Sequence, residues 1–448
     1  MNITNKFIEN LIAFTKRQFT DADILHAKKC LLDYVGVTLA GAREYDAVER
    51  NLCDNLLSGG VSTIVGREEK ASVSIAALVN GISSHAVELD DGQRFGNIHP
   101  GSPIISALLP VAETAGCKLG DLLIGLLTGY ESVLRLACGI QPNHKLKGFH
   151  ATGPCGTVGS TMGIAAMLKF DALQYKSALS AACTSASGIL EMIEGDTQMM
   201  PYNAGKAAMS GVVSAGIGEA RFKCPDDALG GKRGFLNCFT SEPNIDLLVD
   251  FDDKEFFSTN YFKLYAACGH CHAGIDAALK LRSHNLFTID DIDHIEVETY
   301  KLAIQGHDHN DIDGVNSAKM SIPYSVAVAM IKGRAGIEEF TDSVIKEDEV
   351  IKLTSKTTVR DNDEITKQAP KKRIAVVHVY TKDKVFSEKV YYPKGQPENP
   401  LSVVDIKQKF FDMCEFAHFP IEKAKRINEI IFNGDADCPV SDLIHLLS

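Results

Sequence analysis

The chain has 448 residues, 45% hydrophobic and 23% charged, with a formal net charge of −12. That length exceeds one ordinary core and predicts two domains. The acidic balance, with no dense Lys/Arg block to offset it, argues against a nucleic-acid partner but leaves room for an anionic substrate in a locally positive pocket.

The opening MNITNKFIENLIAF mixes acid and amide with apolar residues. It lacks a basic start, a long apolar core and a small-residue cleavage site, so no signal peptide is expected. No apolar run is read as long enough to span a bilayer. No membrane partner and a cytoplasmic location are therefore expected. The twelve cysteines are scattered through apolar segments, such as Cys30, Cys138 and Cys183, and read as small core residues.

Thr20-Asp21-Ala22-Asp23 resembles a capping box. Apolar residues then recur at Ile24, Leu31, Val35 and Leu39 with helical spacing, ending near Gly41. Residues 73–87 read as a helix rich in small residues, and 104–116 and 119–140 continue the pattern. Between the first two of these lies ELDDGQRFGNIHPGSP, residues 88–103. It sets Glu88, Asp90 and Asp91 ahead of His99 on a glycine-marked loop that runs into a buried helix. Acids and a histidine on such a support suit proton transfer, while a solvated loop with a helix start is the bland alternative.

Gly153, Gly156, Gly159 and Gly163 follow at intervals of three and four. A phosphate loop needs a preceding strand and a Lys-Ser/Thr pair, and both are missing, so close helix packing is favoured. Residues 178–188 add a second thin-surfaced helix. The stretch 201–212 reads as a turn entering a helix with Lys206 in its first turn. There it opposes the helix dipole but would suit an anion at the exposed N–H groups; an ordinary exposed lysine is the alternative.

The pattern changes after about residue 265. Residues 294–299, 373–381 and 385–391 alternate like half-buried strands, and 321–332 and 402–415 are helical. The charged stretch 341–371 reads as mobile surface or a short helix with loops. A long helical part is thus followed by an α+β part, and the closing segment 403–448 is able to return to the first domain.

Cys268-Gly269-His270-Cys271-His272 matches the spacing of c-type haem attachment and offers four ligands to zinc. Haem attachment of that kind requires export. Four ligands this close do not easily surround one ion. A haem- or metal-binding protein is therefore the distant alternative, and the favoured reading is that only some of these residues matter.

HAVELDDG at 85–92, HPGSP at 99–103, GFHATGPCGTVGS at 148–160, GKAAMSG at 205–211 and KLYAACGHCHAGIDAA at 263–278 resemble, in order, signature stretches of the MmgE/PrpD family. KMSIPYSVAVAMIKG at 319–333 and PENPLS at 397–402 fit as well. That family includes 2-methylcitrate dehydratases, cis-aconitate decarboxylases and iminodisuccinate epimerase-like proteins.

The resemblance implies a mainly α protein: an all-helical main domain, 1–265 with 403–448 returning to it, and a smaller α+β lid, 266–402. It implies an active site in the cleft between them, a homodimer, and catalysis without metal or organic cofactor. It implies catalytic roles for Asp90, Asp91, His99, His150, Lys206 and Tyr324, and substrate-binding roles for Glu88, Gly92, Ser102, Lys263 and His272. Glu88 stands where many relatives have Asp, Gly92 where many have Thr or Ser, and the loop to His99 is one residue longer.

Family substrates are small di- and tricarboxylic acids. Charge that builds on them needs cationic or hydrogen-bonding groups, for which Lys206, Lys263 and His150 are suited. His99 is the best general acid/base, because its unperturbed pKa lies near working pH. The acid pair could orient it, and Tyr324 could donate to a leaving hydroxyl or an enolate. A divalent ion beside these lysines and histidines would be repelled. The leading expectation is a hydro-lyase of the 2-methylcitrate dehydratase type, with a succinate epimerase and a cis-aconitate-type decarboxylase as alternatives.

Overall fold

The computed structural model describes every residue except 57–58, 194–196 and 252–253. The chain divides into two units. The first comprises Met1–Met192, Met199–Asn260 and Ser402–Ser448; the second comprises Ile193–Gln198 and Tyr261–Leu401. The architecture is mainly helical with a small mixed sheet.

In the first unit the Asp21–Glu44 helix starts as its sequence demands: the Thr20 side chain accepts from Asp23 N–H and the Asp23 carboxylate accepts from Thr20 N–H. Its middle is buried between the Val73–Ala86 helix and the Val403–Phe416 helix. The C-terminal segment therefore packs on one of the first helices of the chain. Lys409 secures that contact, its Nζ lying 2.6 Å from Asp33 Oδ1 and 2.7 Å from the Leu89 carbonyl, with both charged groups buried.

The Leu119–Ile140 helix corrects one expectation. By length and composition it is long and apolar enough to cross a bilayer, but 89% of its apolar window is buried within the unit. It is a core helix, and it carries the buried Glu131–Arg135 pair at 2.6 Å. Glu131 Oε2 accepts from the N–H groups of Phe256 and Phe257, and Arg135 donates to the carbonyls of Leu247, Asp250 and Lys254. A buried ion pair is tolerated when its remaining lone pairs and protons are satisfied in this way.

The glycine series serves packing. A Cβ on Gly163 of the Pro154–Met167 helix would lie 2.9 Å from the Gly125 carbonyl oxygen, and one on Gly159 would lie 2.7 Å from Val133 Cβ. The two helices touch through their backbones, which only glycine permits.

The second unit holds a four-stranded sheet in the order Thr357–Asp361, Ile292–Thr299, Ala375–Thr381, Val385–Val390. The first pair is parallel and the others antiparallel. The His272–Ser283 helix packs on the last two strands and against the Ile322–Lys332 helix. Alternation is clear where strands are central: Ile295, Val297, Val377 and Val379 are fully buried.

Thr357–Asp361 was expected to be surface or short helix with loops, and it is a strand. Its sequence, TTVRD, has one aliphatic residue and buries only Thr357, so no periodicity marks it. Backbone pairing at an edge, in the register Ile295 with Thr357 and Val297 with Val359, defines it instead. The same stretch also contains the Asp348–Ser355 helix.

Candidate active site

The Val73–Ala86 helix delivers His85 in its last turn, and the chain then reverses through Glu88, a non-glycine residue at φ 55°. Lys409 holds the next residue by the Leu89 carbonyl. Asp90 and Asp91 follow, both buried. Gly92, also buried, leads into a short bridge between Gln93 and Ile98. The Gln93 side chain closes this loop by accepting from Gly96 N–H at 2.6 Å. The loop returns the chain beside the acids at His99, just before the Gly101–Ala115 helix.

The two aspartates do different work. Asp91 Oδ1 accepts from Gly101 N–H at 2.9 Å, at the start of that helix. Its Oδ2 accepts from the Tyr130 hydroxyl at 2.9 Å and the Asn260 amide at 2.7 Å. Burial nevertheless pushes its pKa up to about 7, outweighing these donors, and the nearby Asp90 charge adds to the rise. A Cβ on Gly101 would fall 2.6 Å from the Tyr130 hydroxyl and 2.8 Å from Asp91 Oδ1, so glycine is required there.

Asp90 faces two imidazoles. His85 Nδ1 lies 2.8 Å from Asp90 Oδ2 and His99 Nδ1 3.4 Å from the same oxygen, which also accepts from Ser102 Oγ at 2.8 Å. The two rings are tilted against each other with centroids 4.7 Å apart. His99 Nδ1 is also 2.8 Å from the Asp91 carbonyl. With Nδ1–H donating to that carbonyl, proton exchange at His99 runs through Nε2. The His85 side chain is completely buried whereas 16% of the His99 side chain is exposed, so His99 is the ring of the pair that solvent or a ligand can reach. The ligand atoms of His85, Asp90 and His99 lie within 4.8 Å of one another, close enough to share a cation, yet hydrogen bonds already occupy this trio.

His150 adjoins them. His99 N–H donates to Thr152 Oγ1 at 3.2 Å, and His150 N–H donates to the Gly188 carbonyl at 3.1 Å. Burial holds the His150 pKa well below the ordinary histidine value, and the charges of His99 and His85 push it the same way. Its Nδ1 lies 3.1 Å from Asn203 Nδ2. With the amide donating, the neutral ring carries its proton on Nε2. Asn203 sits one turn before Lys206 on the Met199–Glu219 helix.

That helix begins at Met199, so Lys206 is two turns inside it rather than at its open end. The expected anion site at free helix N–H groups is therefore not formed around this lysine. Lys206 Nζ instead donates to the Ser187 carbonyl and to Ser187 Oγ, the latter at 2.7 Å, and burial lowers its pKa to about 8.

The fold thus gathers Glu88, Asp90, Asp91, His99, Ser102 and His150 in the first unit, with Lys206 joined through the Ser187–Gly188 segment. Lys263, His272 and Tyr324 belong to the second unit. Lys263 is fully buried. His272 Nε2 lies 3.2 Å from the Ala267 carbonyl, with its ring edge-on to Tyr265. The Tyr324 hydroxyl donates to the Glu339 carbonyl at 2.7 Å inside the unit's core, and burial raises its pKa.

Sequence reasoning missed His85, Tyr130, Asn203 and Asn260. His85 had a signal, since it opens the HAVELDDG stretch three residues before Glu88. The other three come from distant helices and loops with nothing local to mark them.

The chain matches the MmgE/PrpD N-terminal domain over residues 9–248 and the MmgE/PrpD C-terminal domain over residues 265–434. It is 24% identical to the cis-aconitate decarboxylase-like protein of Aspergillus oryzae, over 98% of this chain and 96% of that protein. It is 23% identical to the cis-aconitate decarboxylase of Aspergillus terreus, over 95% and 92% of the two chains. It is 23% identical to the cis-aconitate decarboxylase of Mus musculus, over 91% and 86%.

Proposed function

The chain belongs to the MmgE/PrpD family, and from that premise we propose that it is a lyase acting on a small di- or tricarboxylic acid by histidine-centred proton transfer. The observation that carries this reading is the pair His99 and His150: one ring partly open and oriented by a carboxylate and a carbonyl, the other buried and neutral. A general acid/base must hold a defined tautomer near the reacting carbon. A neutral imidazole with a ring N–H is suited to stabilising an oxyanion.

Decarboxylation is the first reading, supported by the names of the relatives. The bond between a carbon and its carboxylate breaks, carbon dioxide leaves, and the electron pair stays on the substrate as an enolate-like anion. His99, protonated at Nε2, then returns a proton to carbon. Dehydration of a 2-methylcitrate-like hydroxy acid is the second reading, supported by the sequence motifs. There His99 takes the proton from carbon, the electron pair left behind forms the alkene as the C–O bond breaks, and His99 returns that proton to the hydroxyl, which leaves as water. Both steps place extra negative charge on an anionic substrate. Lys206, whose amine is weakened toward neutrality by burial, is the first unit's candidate to hold that charge, and Lys263 and His272 are the candidates of the second unit. Epimerisation would use the same proton removal and return.

Incubation of the purified chain with cis-aconitate, citrate, 2-methylcitrate and substituted succinates in heavy water, followed by proton NMR, tests all three. Loss of carbon dioxide with one deuteron at carbon supports the first reading, an alkene product with water loss the second, and exchange without net conversion an epimerase. If every one of these acids is left unchanged and unexchanged, the proposal falls.

A further inference from the structure

The Cys268–His272 loop acquires a different meaning once its spatial neighbour is known. Only two of its four candidate ligands converge, and a third arrives from 39 residues beyond Cys268. The thiol of Cys268 lies 3.8 Å from His307 Nε2, and one ligand atom each from Cys268, His270 and His307 falls within 4.8 Å of the others. The rings of His270 and His307 have centroids 5.1 Å apart. Cys271 is not part of this set, its thiol donating to the Met320 carbonyl at 3.9 Å, and His272 is directed to the Ala267 carbonyl.

The surroundings are those of a ligand set. His307 Nδ1 is 2.8 Å from the Met320 carbonyl, which, with Nδ1–H donating, fixes the tautomer that presents the Nε2 lone pair toward Cys268. His270 Nδ1 is 2.5 Å from the Tyr300 hydroxyl. Metal-bound histidines are oriented by such bonds from their other nitrogen. The backbone is pinned at each point: Cys268 N–H donates to the Lys319 carbonyl at 2.8 Å, and the His307 carbonyl accepts from Ile322 N–H at 2.8 Å. The objection that four adjacent residues cannot surround one ion no longer applies, because these ligands come from two separate segments. The buried guanidinium of Arg373 lies against Gly269. Its charge opposes a cation held by neutral ligands alone, so the Cys268 thiolate is the necessary anionic ligand.

We propose that Cys268, His270 and His307 form a three-ligand site for a thiophilic divalent ion of the zinc type within the second unit. One sulfur and two imidazole nitrogens are a set that Zn²⁺ favours, with one tetrahedral position left to water. This goes beyond the lyase reading and does not depend on it.

The test uses the full chain, stripped with chelator under reducing conditions and titrated with Co²⁺. The expected result is one equivalent bound, with a charge-transfer band of one thiolate, displaced by Zn²⁺. Cys268→Ser abolishes the band. His270→Gln, at a half-buried position, weakens binding at least tenfold, whereas Cys238→Ser at an exposed cysteine leaves it unchanged. The wild-type titration is decisive even if a variant fails to fold. No band at saturating Co²⁺, binding well below one equivalent, or a band that survives Cys268→Ser overturns the proposal. None of these readouts involves turnover, so they stand apart from a failure of the lyase assay.

Discussion

Two loops of this protein collect histidines, and their surroundings differ in kind. In the first unit the imidazoles of His85 and His99 face the buried carboxylate of Asp90, with Asp91 held behind it by three donors. In the second, His270 and His307 face a hydroxyl, a carbonyl and a thiol. A carboxylate partner stabilises an imidazolium and favours proton exchange. Neutral partners hold a ring in one tautomer and favour a lone pair offered to a ligand. The same side chain is set to two tasks by what stands behind it.

The largest effect that tests this contrast is on turnover. Replacing His99 by Gln is expected to lower kcat by about 10²–10⁴, the range for a general acid/base. His150→Gln should cost two or more orders of magnitude, with circular dichroism unchanged. Near-normal turnover in both variants would break the first half of the comparison.

The next concerns the support of the acid loop. Lys409→Met leaves Asp33 buried without its partner, and burial already raises the Asp33 pKa. Unpairing a buried charge costs about 3–5 kcal/mol, read by denaturant unfolding. The double variant with Asp33→Asn should recover part of that loss. A single variant as stable as wild type would mean that this pair does not hold the loop.

Asp91 offers a test by sign. Its folded pKa, about 7, lies above the unfolded value of 3.8. Its contribution to stability is thus fully present below pH 3.8 and lost as pH rises through 7. Compared with Asp91→Asn, wild type should be relatively more stable at pH 5 than at pH 8. The reverse slope would mean that the donors from Gly101, Tyr130 and Asn260 outweigh burial.

Two smaller effects sharpen each side. Gly101→Ala pushes a methyl group against the Tyr130 hydroxyl and Asp91, and should cost about 1–3 kcal/mol by overpacking, seen as a lower denaturant midpoint. Tyr300→Phe removes the hydroxyl beside His270 and should weaken Co²⁺ binding by about ten- to a hundredfold, with no loss of secondary structure. Unchanged affinity would reduce Tyr300 to a packing residue.

Local patterns were readable wherever one face of an element is buried. The capping box at Thr20, the apolar spacing from Ile24 to Leu39 and the alternation around Ile295 and Val377 each lie within one element, so a short window contains the signal. Thr357–Asp361 escaped because an edge strand is defined by pairing and not by its own side chains. Residues from Pro201 read as a turn that would put Lys206 in a first helical turn, whereas the helix already runs from Met199.

The ordered motifs by themselves determined the family, the mainly α architecture with a smaller α+β part, and a short roster of acids, histidines and lysines. Only the tertiary structure decided which of them meet. It set His85 and His99 on one carboxylate, brought Tyr130 and Asn260 to Asp91, turned the Tyr324 hydroxyl to the Glu339 carbonyl, and placed His307 against Cys268. The reason is physical. Periodicity reports which face of a segment leaves water, a property of neighbours in sequence. Hydrogen-bond partners, tautomers and shifted pKa values are properties of neighbours in space, and these exist only after distant segments have packed.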